Sequence, residues 1–434
     1  MGETVTTIEA QSTSVGIRKE SVKWPLIANI GLIAVALNIF RPYPDFFPEW
    51  LQIFWFDAGL IVISAFVLFA FSRSPTFMFS FSTFIVALSA IVFLAIPVAL
   101  QFPHEKLSYF IRLLFFLVVT FVLIKPWARF GYNATLTYAF LIAYSALPMA
   151  LIVLFQIISI PLFTDMIHFL YGTEKLRDIS SVSPRVYGSF YNANWFGVYI
   201  VVLFASIVFL YKFKKIGRFI SIILVVFGVI FIVLSGSRTA LLGLGIAMLL
   251  QTVWIIFNSK TSIHRFLSVG FWIIFGFSGI FVFFNLYGEH RLFRRWKDVL
   301  GLLDIFKVDS VAGRLASWKV AFEKFSEEPV FGPGVGIQAH NSYLTTVNVF
   351  GVLGILVMAF FGLALTVSLI KNWQKSTSLL AIPVVIAFLI MAITAEFFYT
   401  TQAVLLILPM LFWVFHPSTQ KFGVNQRKSG GNGF

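Results

Sequence analysis

The chain has no cysteine. That excludes a disulfide framework, a thiol nucleophile and any thiolate metal site. It also has little charge. Only 12% of its 434 residues are Asp, Glu, Lys or Arg, and the acids are the scarcer sign, 18 against 32 Lys and Arg. An ordinary soluble domain carries roughly twice that share of charge, so a soluble fold is excluded. The few acids make no Asp-rich metal motif: Asp298, Asp304 and Asp309 are spread out and read as solvated or paired. Neither a metal nor a cofactor is expected. No internal repeat with a period of roughly 20–50 residues is visible. What the chain has instead is apolar surface: 59% hydrophobic residues, 54 of them Phe, and a mean hydropathy of +0.92.

A helix crosses a bilayer with about 20 apolar residues. Runs of that kind lie near 24–40, 51–71, 78–101, 107–124, 133–159, 193–211, 216–235, 238–257, 266–287, 342–370, 377–395 and 400–416. They predict an all-α integral membrane protein with about twelve transmembrane helices. Glu396 alone marks the break between the last two. The runs at 133–159 and 342–370 are long enough to tilt or to extend past the lipid. Residues 1–23 are polar, and the first apolar run lacks a small-residue cleavage site. It reads as a retained span behind a cytoplasmic N-terminal tail. Residues 24–416 read as one bundle, and 417–434 as a cytoplasmic tail, Gly- and Ser-rich at its end and disordered.

Charge orients the bundle. With the N-terminus inside, the inner segments carry 17 basic residues against three acids, and the outer segments carry 15 of each. The whole net charge of +14 is then cytoplasmic, as the positive-inside rule expects. The stretch YKFKKIGR at 211–218 is the strongest anchor. Basic residues scattered over short loops also argue against a nucleic-acid partner, which needs a continuous basic patch. Two outer segments are long, about 160–192 and 288–341. Polar residues spent outside point to chemistry outside.

The longest polar interruption, 308–344, opens with a helical pattern. Val311, Leu315, Trp318, Phe322 and Phe325 recur at steps of four and three and form one apolar stripe, with Arg314 at its edge. Pro329 stops the helix. Gly332, Pro333, Gly334 and Gly336 then predict a tight turn in which bare backbone approaches a ligand, and His340 and Asn341 follow at the mouth of the next apolar run. An interfacial helix lying on the bilayer, with a structural loop after it, explains the same pattern. Both readings stand at this point.

Two further basic motifs fall at outer span ends: SPRVYGSFYNANWFG at 183–197 and SGSRTA at 235–240. Arg238 sits where two apolar helices turn, close to lipid depth, where an uncompensated charge is costly. Such an arginine pairs with an acid, binds an anion, or snorkels to headgroups. Ser235, Gly236 and Ser237 offer backbone N–H groups at the start of the next helix, which favour an anion. Arginine suits a diphosphate because it is always charged and binds two oxygens at once. A histidine beside it is placed to take a proton from a hydroxyl. Arg41 and Arg112 lie near outer span ends, placed to line the site of a lipid carrier or, as the favoured reading, to snorkel. Tyr187, Phe190 and Trp195 are placed to stack on sugars or to form an interfacial aromatic belt. His104, His168 and His290 read as solvated or structural, and His264 and His416 fall inside.

In this order, SPRVYGSFYNANWFG, SGSRTALLGL and GRLASWKVAFEKF…PVFGPGVG…HNSYL, the motifs resemble the O-antigen ligase and O-antigen polymerase superfamily, directly over about 183–356. The resemblance implies a multi-pass glycosyltransferase of the bacterial cytoplasmic membrane, with both termini inside and a helical outer loop between spans nine and ten. Its donor would be an undecaprenyl-diphosphate-linked glycan, and its acceptor a glycan, lipid A core or a protein. The family's essential arginines fall here on Arg185 and Arg238 and its loop histidine on His340; these are the expected catalytic residues. Arg314, Asn341, Tyr187, Asn192, Asn194 and Ser237 are the expected substrate-binding residues. A transporter or flippase of a lipid-linked anionic glycan is the alternative, against which stand the missing internal repeats and the near absence of charge within the spans.

Overall fold

The computed structural model describes residues 24–41, 57–66, 105–128, 130–157, 165–166, 169–170, 185–258, 309–333 and 339–416. Both tails, the apolar runs at 78–101 and 266–287, and residues 288–308 lie outside the described residues. Everything that is described is helix, turn or coil apart from one isolated bridge residue.

The helices are α1 (Trp24–Ile39), α2 (Asp57–Phe66), α3 (Glu105–Val119), α4 (Lys125–Ala128), α5 (Tyr132–Ile157), α6 (Ala193–Lys212), α7 (Arg218–Ser235), α8 (Arg238–Asn258), α9 (Asp309–Glu327), α10 (Ser342–Asn372), α11 (Ser378–Met391) and α12 (Thr401–Phe415). A π-helical turn, Thr120–Ile124, joins α3 to α4. Among the described residues α5, α6, α7, α8 and α10 are each long and apolar enough to cross a membrane. The protein is a multi-pass helical membrane protein.

α6 is the axis of the bundle. It packs against α5, α7, α8, α11 and α12, and Phe196, Tyr199, Ile200, Val202, Leu203 and Phe209 on it are fully buried. A helix apolar on every side has no solvent face to offer, so it takes the centre. The opposite case is α10 beyond Gly351, where Leu356, Phe360, Leu363 and Ile370 are 59–77% exposed. Exposed apolar residues in such a row fit hydrocarbon rather than water. Between helices, buried side chains bond the backbone of a neighbour: Tyr138 Oη donates to the Leu406 carbonyl (2.7 Å), Trp254 Nε1 to that of Trp373 (2.6 Å) and Trp413 Nε1 to that of Ala128 (3.2 Å). Each bond ties two helices where apolar packing alone gives no preference for protein over lipid.

The long run at 342–370 is not one continuous helix. α10 is broken at Gly351, whose φ of 61° and ψ of −144° are not helical. The cause is the glycine turn after α9. Val352 N–H donates to the Pro329 carbonyl (2.9 Å) instead of to its own helix. Gly332, at φ +74°, and Gly351 face each other: a Cβ on the first would run into the Asn348 carbonyl and a Cβ on the second into the Val330 carbonyl. The bare backbone expected to approach a ligand at Gly332 approaches α10 instead. Gly334 and Gly336 lie outside the described residues.

Candidate functional site

The ends of α1, α7 and α11 and the starts of α2, α6, α8, α10 and α12 gather at one end of the bundle, and the three sequence motifs gather with them. The turn Ser235–Arg238 is built first. Gly236 ends α7 in the left-handed conformation. Ser237 Oγ accepts from Ala240 N–H (3.2 Å), which caps α8. The same hydroxyl donates to Asn194 Oδ1 (2.9 Å), and Asn192 Oδ1 caps α6 by accepting from Asn194 N–H (2.7 Å). Asn192, Asn194 and Ser237 therefore form one polar chain from the first motif to the second. Arg185 closes the same junction: its Nε donates to the Ser235 carbonyl (3.2 Å), while Val186 N–H donates to Leu234 (3.0 Å). A guanidinium on the carbonyl end of α7 sits with the helix dipole. Arg238, the first residue of α8, sits against it. An anion at that N-terminus would meet both the dipole and the arginine favourably.

α9 brings Arg314 to the same place. Trp318 and the buried Ala321 pack on Ala339 and Leu344, at the start of α10. Arg314, Trp318, Ala321 and Phe325 share that face, and all four are buried or half-buried. This corrects the expected apolar stripe. Leu315 (45% exposed) and Phe322 (55%) turn away from the protein, and Arg314 lies within the packed face, not at its edge. Burial holds the Arg314 guanidinium below the ordinary arginine pKa, and the positive charge of Arg238 pushes it the same way. The two arginines are within electrostatic reach of each other.

His340 follows directly. Asn341 Oδ1 caps α10 by accepting from Tyr343 N–H (2.9 Å) and Leu344 N–H (3.1 Å). His340, one residue earlier, has a φ of 48°, a left-handed conformation that histidine tolerates better than most residues. The sharp turn leaves Ala339 buried and His340 exposed.

A stretch in which the sequence marks a break only at Glu396 holds these parts together. Residues 392–402, the connection from α11 to α12 and the start of α12, touch nearly every motif. Ser342 N–H donates to Ala392 (2.9 Å), Ser342 Oγ donates to the Ala395 carbonyl (2.9 Å), and the same oxygen accepts from Phe397 N–H (2.7 Å). Thr394 Oγ1 bonds Thr239 Oγ1 (2.9 Å), next to Arg238. Thr345 Oγ1 donates to Glu396 Oε1 (3.1 Å). Arg112 donates to the Tyr399 carbonyl (3.1 Å), and Thr401 Oγ1 to Asp57 Oδ2 (3.0 Å). Asp57 in turn holds Arg41 at 2.7 Å. Arg41 is 1% exposed, so it does not snorkel to headgroups. It is paired inside the bundle, as an arginine at lipid depth must be.

The aromatics divide by exposure. Tyr187 and Phe190 are buried, Trp195 is half-buried and Tyr191 is exposed. Tyr191 and Trp195 lie with ring centres 5.6 Å apart, and this pair, not Tyr187, is the open aromatic surface here. Beside the site is an apolar cavity of about 330 Å³ between α3, α10, α11 and α12. Thr346 and Tyr399, hydrogen-bonded to each other (2.9 Å), are its polar members; Leu113, Phe116, Phe361 and Leu411 are among the rest.

Three half-buried arginines beside a helix N-terminus, followed by an open histidine, repeat in space the order of the sequence motifs. Part of the chain matches the O-antigen ligase family. The family model of that description matches residues 223–359, just under a third of the chain, and supports its place in the O-antigen ligase and polymerase superfamily. No curated protein matches the chain. The matched segment takes in most of α7, all of α8 and α9, and α10 past its break, and so contains Arg238, Arg314 and His340. Arg185 and the 392–402 stretch lie outside it and reach it through the hydrogen bonds above. The match supports a membrane enzyme of ligase or polymerase type in polysaccharide biosynthesis, with a lipid-linked glycan and an acceptor as its general partners.

Proposed function

We propose that the protein transfers an undecaprenyl-diphosphate-linked glycan to an acceptor hydroxyl on the outer face of the bacterial cytoplasmic membrane. The observation that carries this reading is the convergence of Arg185, Arg238 and Arg314 at one end of the bundle. The acceptor oxygen attacks the anomeric carbon as the bond from that carbon to the diphosphate oxygen breaks. The diphosphate leaves with the electron pair, and its charge develops against Arg185 and Arg238, fixed groups that need no reorganisation. His340 takes the hydroxyl proton. One displacement inverts the anomeric centre. Tyr191 and Trp195 offer the sugar a stacking surface. Asn192, Ser237 and Asn341 act at one remove, by capping α6, α8 and α10, and Asn194 by bonding the Ser237 hydroxyl. The apolar cavity has the lining that part of the carrier's prenyl tail requires.

Charge compensation by arginines makes a divalent ion unnecessary, so transfer is expected to continue in excess EDTA; loss of activity restored by Mg²⁺ counts against the site. The direct test incubates purified protein with a lipid-linked glycan and an acceptor in detergent. A covalent product is expected. Transport of the same glycan is favoured by one observation, the break in α10 at Gly351, because broken helices are a device of transporters. A transporter makes no product without a second compartment, so the same assay separates the two. The acceptor follows from deleting the gene: carrier-linked chains accumulate if a ligase is missing, and attached single units remain if a polymerase is missing.

A further inference from the structure

The turn that carries Arg185 is held by two glutamines from two different helices, α5 and α12. Gln156, in the last turn of α5, donates from Nε2 to the Gly188 carbonyl (2.7 Å) and accepts at Oε1 from Gly188 N–H (3.1 Å). Gln402, in the first turn of α12, donates from Nε2 to the Ser189 carbonyl (3.3 Å) and accepts at Oε1 from Tyr191 N–H (3.3 Å). Gln402 also bonds Asn38 in both directions, through its side chain (3.3 Å) and its own carbonyl (3.1 Å). Both glutamines are buried, at 2% and 0% exposure. Ser189 Oγ donates to the Ile39 carbonyl, and Phe190 N–H to Tyr187 (3.0 Å). From Val186 to Tyr191 the turn thus leans on α1, α5, α7 and α12 at once.

A primary amide presents a donor and an acceptor side by side, which matches the C=O and N–H of one residue, as Gln156 meets Gly188, or of two residues close in a turn, as Gln402 meets Ser189 and Tyr191. Between them the two amides bond four successive peptide groups, from Tyr187–Gly188 to Phe190–Tyr191, and so satisfy buried backbone that an apolar side chain would leave unpaired. Apolar packing would fill the space, whereas the amides fix the turn's orientation. Arg185 lies three residues before Gly188, and its Nε bonds the Ser235 carbonyl at the base of the Arg238 turn.

We infer that Gln156 and Gln402 are positioning residues: they set the direction from which the Arg185 guanidinium meets the diphosphate of the donor. The inference rests on the transferase reading only for the identity of the anion. Neither glutamine lies within the matched segment.

The test uses protonation as a switch. In Gln156→Glu an ionised carboxylate has two acceptors and repels the Gly188 carbonyl. The protonated acid has one donor and one acceptor and restores both bonds. Burial raises that carboxyl's pKa and Arg185 lowers it; the Arg41–Asp57 pair is the other charged group on the same ring of contacts, beyond Ile39. Binding of inorganic pyrophosphate to the purified full chain is measured from pH 5 to pH 9, together with transfer where a lipid-linked donor is at hand. Gln156→Glu is expected to bind roughly tenfold or more weakly at the alkaline end and to recover toward wild type at the acid end. Gln156→Met, without donor or acceptor, stays weak throughout. In an Arg185→Ala background Gln156→Glu should add little, because the clamp acts through Arg185. Gln402→Glu serves as the second variant if Gln156→Glu does not fold.

Wild-type binding at every pH in the glutamate variants, or a loss that is equally large without Arg185, overturns the inference. A wild-type protein that binds pyrophosphate but makes no product defeats the transferase reading and leaves the positioning role standing. A wild-type protein that does not bind pyrophosphate defeats both.

Discussion

At the scale of the residue, the arginines differ in what surrounds them. Arg41 is buried against Asp57 and is compensated. Arg314 and Arg238 repel each other, and burial adds to the cost of the Arg314 charge. Like charges brought together favour an anionic ligand over the unliganded state. Arg314→Met is therefore expected to raise the melting temperature of the unliganded protein while weakening pyrophosphate binding; a drop in both would make Arg314 a structural residue. Arg238 is expected to grip the diphosphate with both arms of its fork, so Arg238→Lys should fail nearly as badly as Arg238→Ala in the transfer assay. His340 stands exposed at a left-handed turn with its backbone fixed by the Asn341 cap. As a base it can be removed without disturbing that cap. His340→Ala should keep donor binding, lower turnover by roughly 10²–10⁴-fold and lose the acidic limb of the pH–rate profile. Loss of donor binding with turnover of the bound fraction intact would make the histidine a phosphate ligand.

At the scale of the element, the decisive feature is the lock between the turn after α9 and the break in α10. Gly332 and Gly351 both have positive φ, and each lacks room for a Cβ against the other's strand. The lock seats α9, and with it Arg314, on the start of α10. Gly351→Ala is expected to destabilise the protein by more than the roughly 1 kcal/mol that separates the two residues in ordinary helix, because strain and collision add. Gly362→Ala is the control in the same helix: its Cβ would meet open space, and helix propensity favours alanine there. Equal melting temperatures for the two variants would mean the lock is not under load.

At the scale of the whole molecule, the charge pattern makes a prediction that the helices alone do not. The end carrying the motifs is expected outside and the 211–218 stretch inside. The chain's lack of cysteine makes the measurement direct. A cysteine placed at Ser310 should react with a membrane-impermeant reagent in intact spheroplasts and one at Lys214 should not. The reverse pattern would invert the bundle and remove the site from the face where a carrier-linked glycan is exposed.

Hydrophobicity by itself determined the class of the protein. Runs of about 20 apolar residues have one stable solution in lipid, a helix that satisfies its own backbone, and α5, α6, α7, α8 and α10 lie where those runs lie. The basic motifs were legible too, because arginine is expensive among such runs and stands out wherever it occurs. Partnership was not legible. Gln156, Gln402, Thr394 and Glu396 carry no pattern that separates them from other polar residues near a span end. Their roles come from contacts across 32 to more than 200 positions of chain. The stripe on α9 was visible as apolar, but which half would meet protein and which would be left exposed depended on where Ala339 and Leu344 came to rest. The break in α10 hid for the same reason. A glycine in an apolar run looks like any membrane-helix glycine until a second strand lies against it, and only the fold brings Gly332 there.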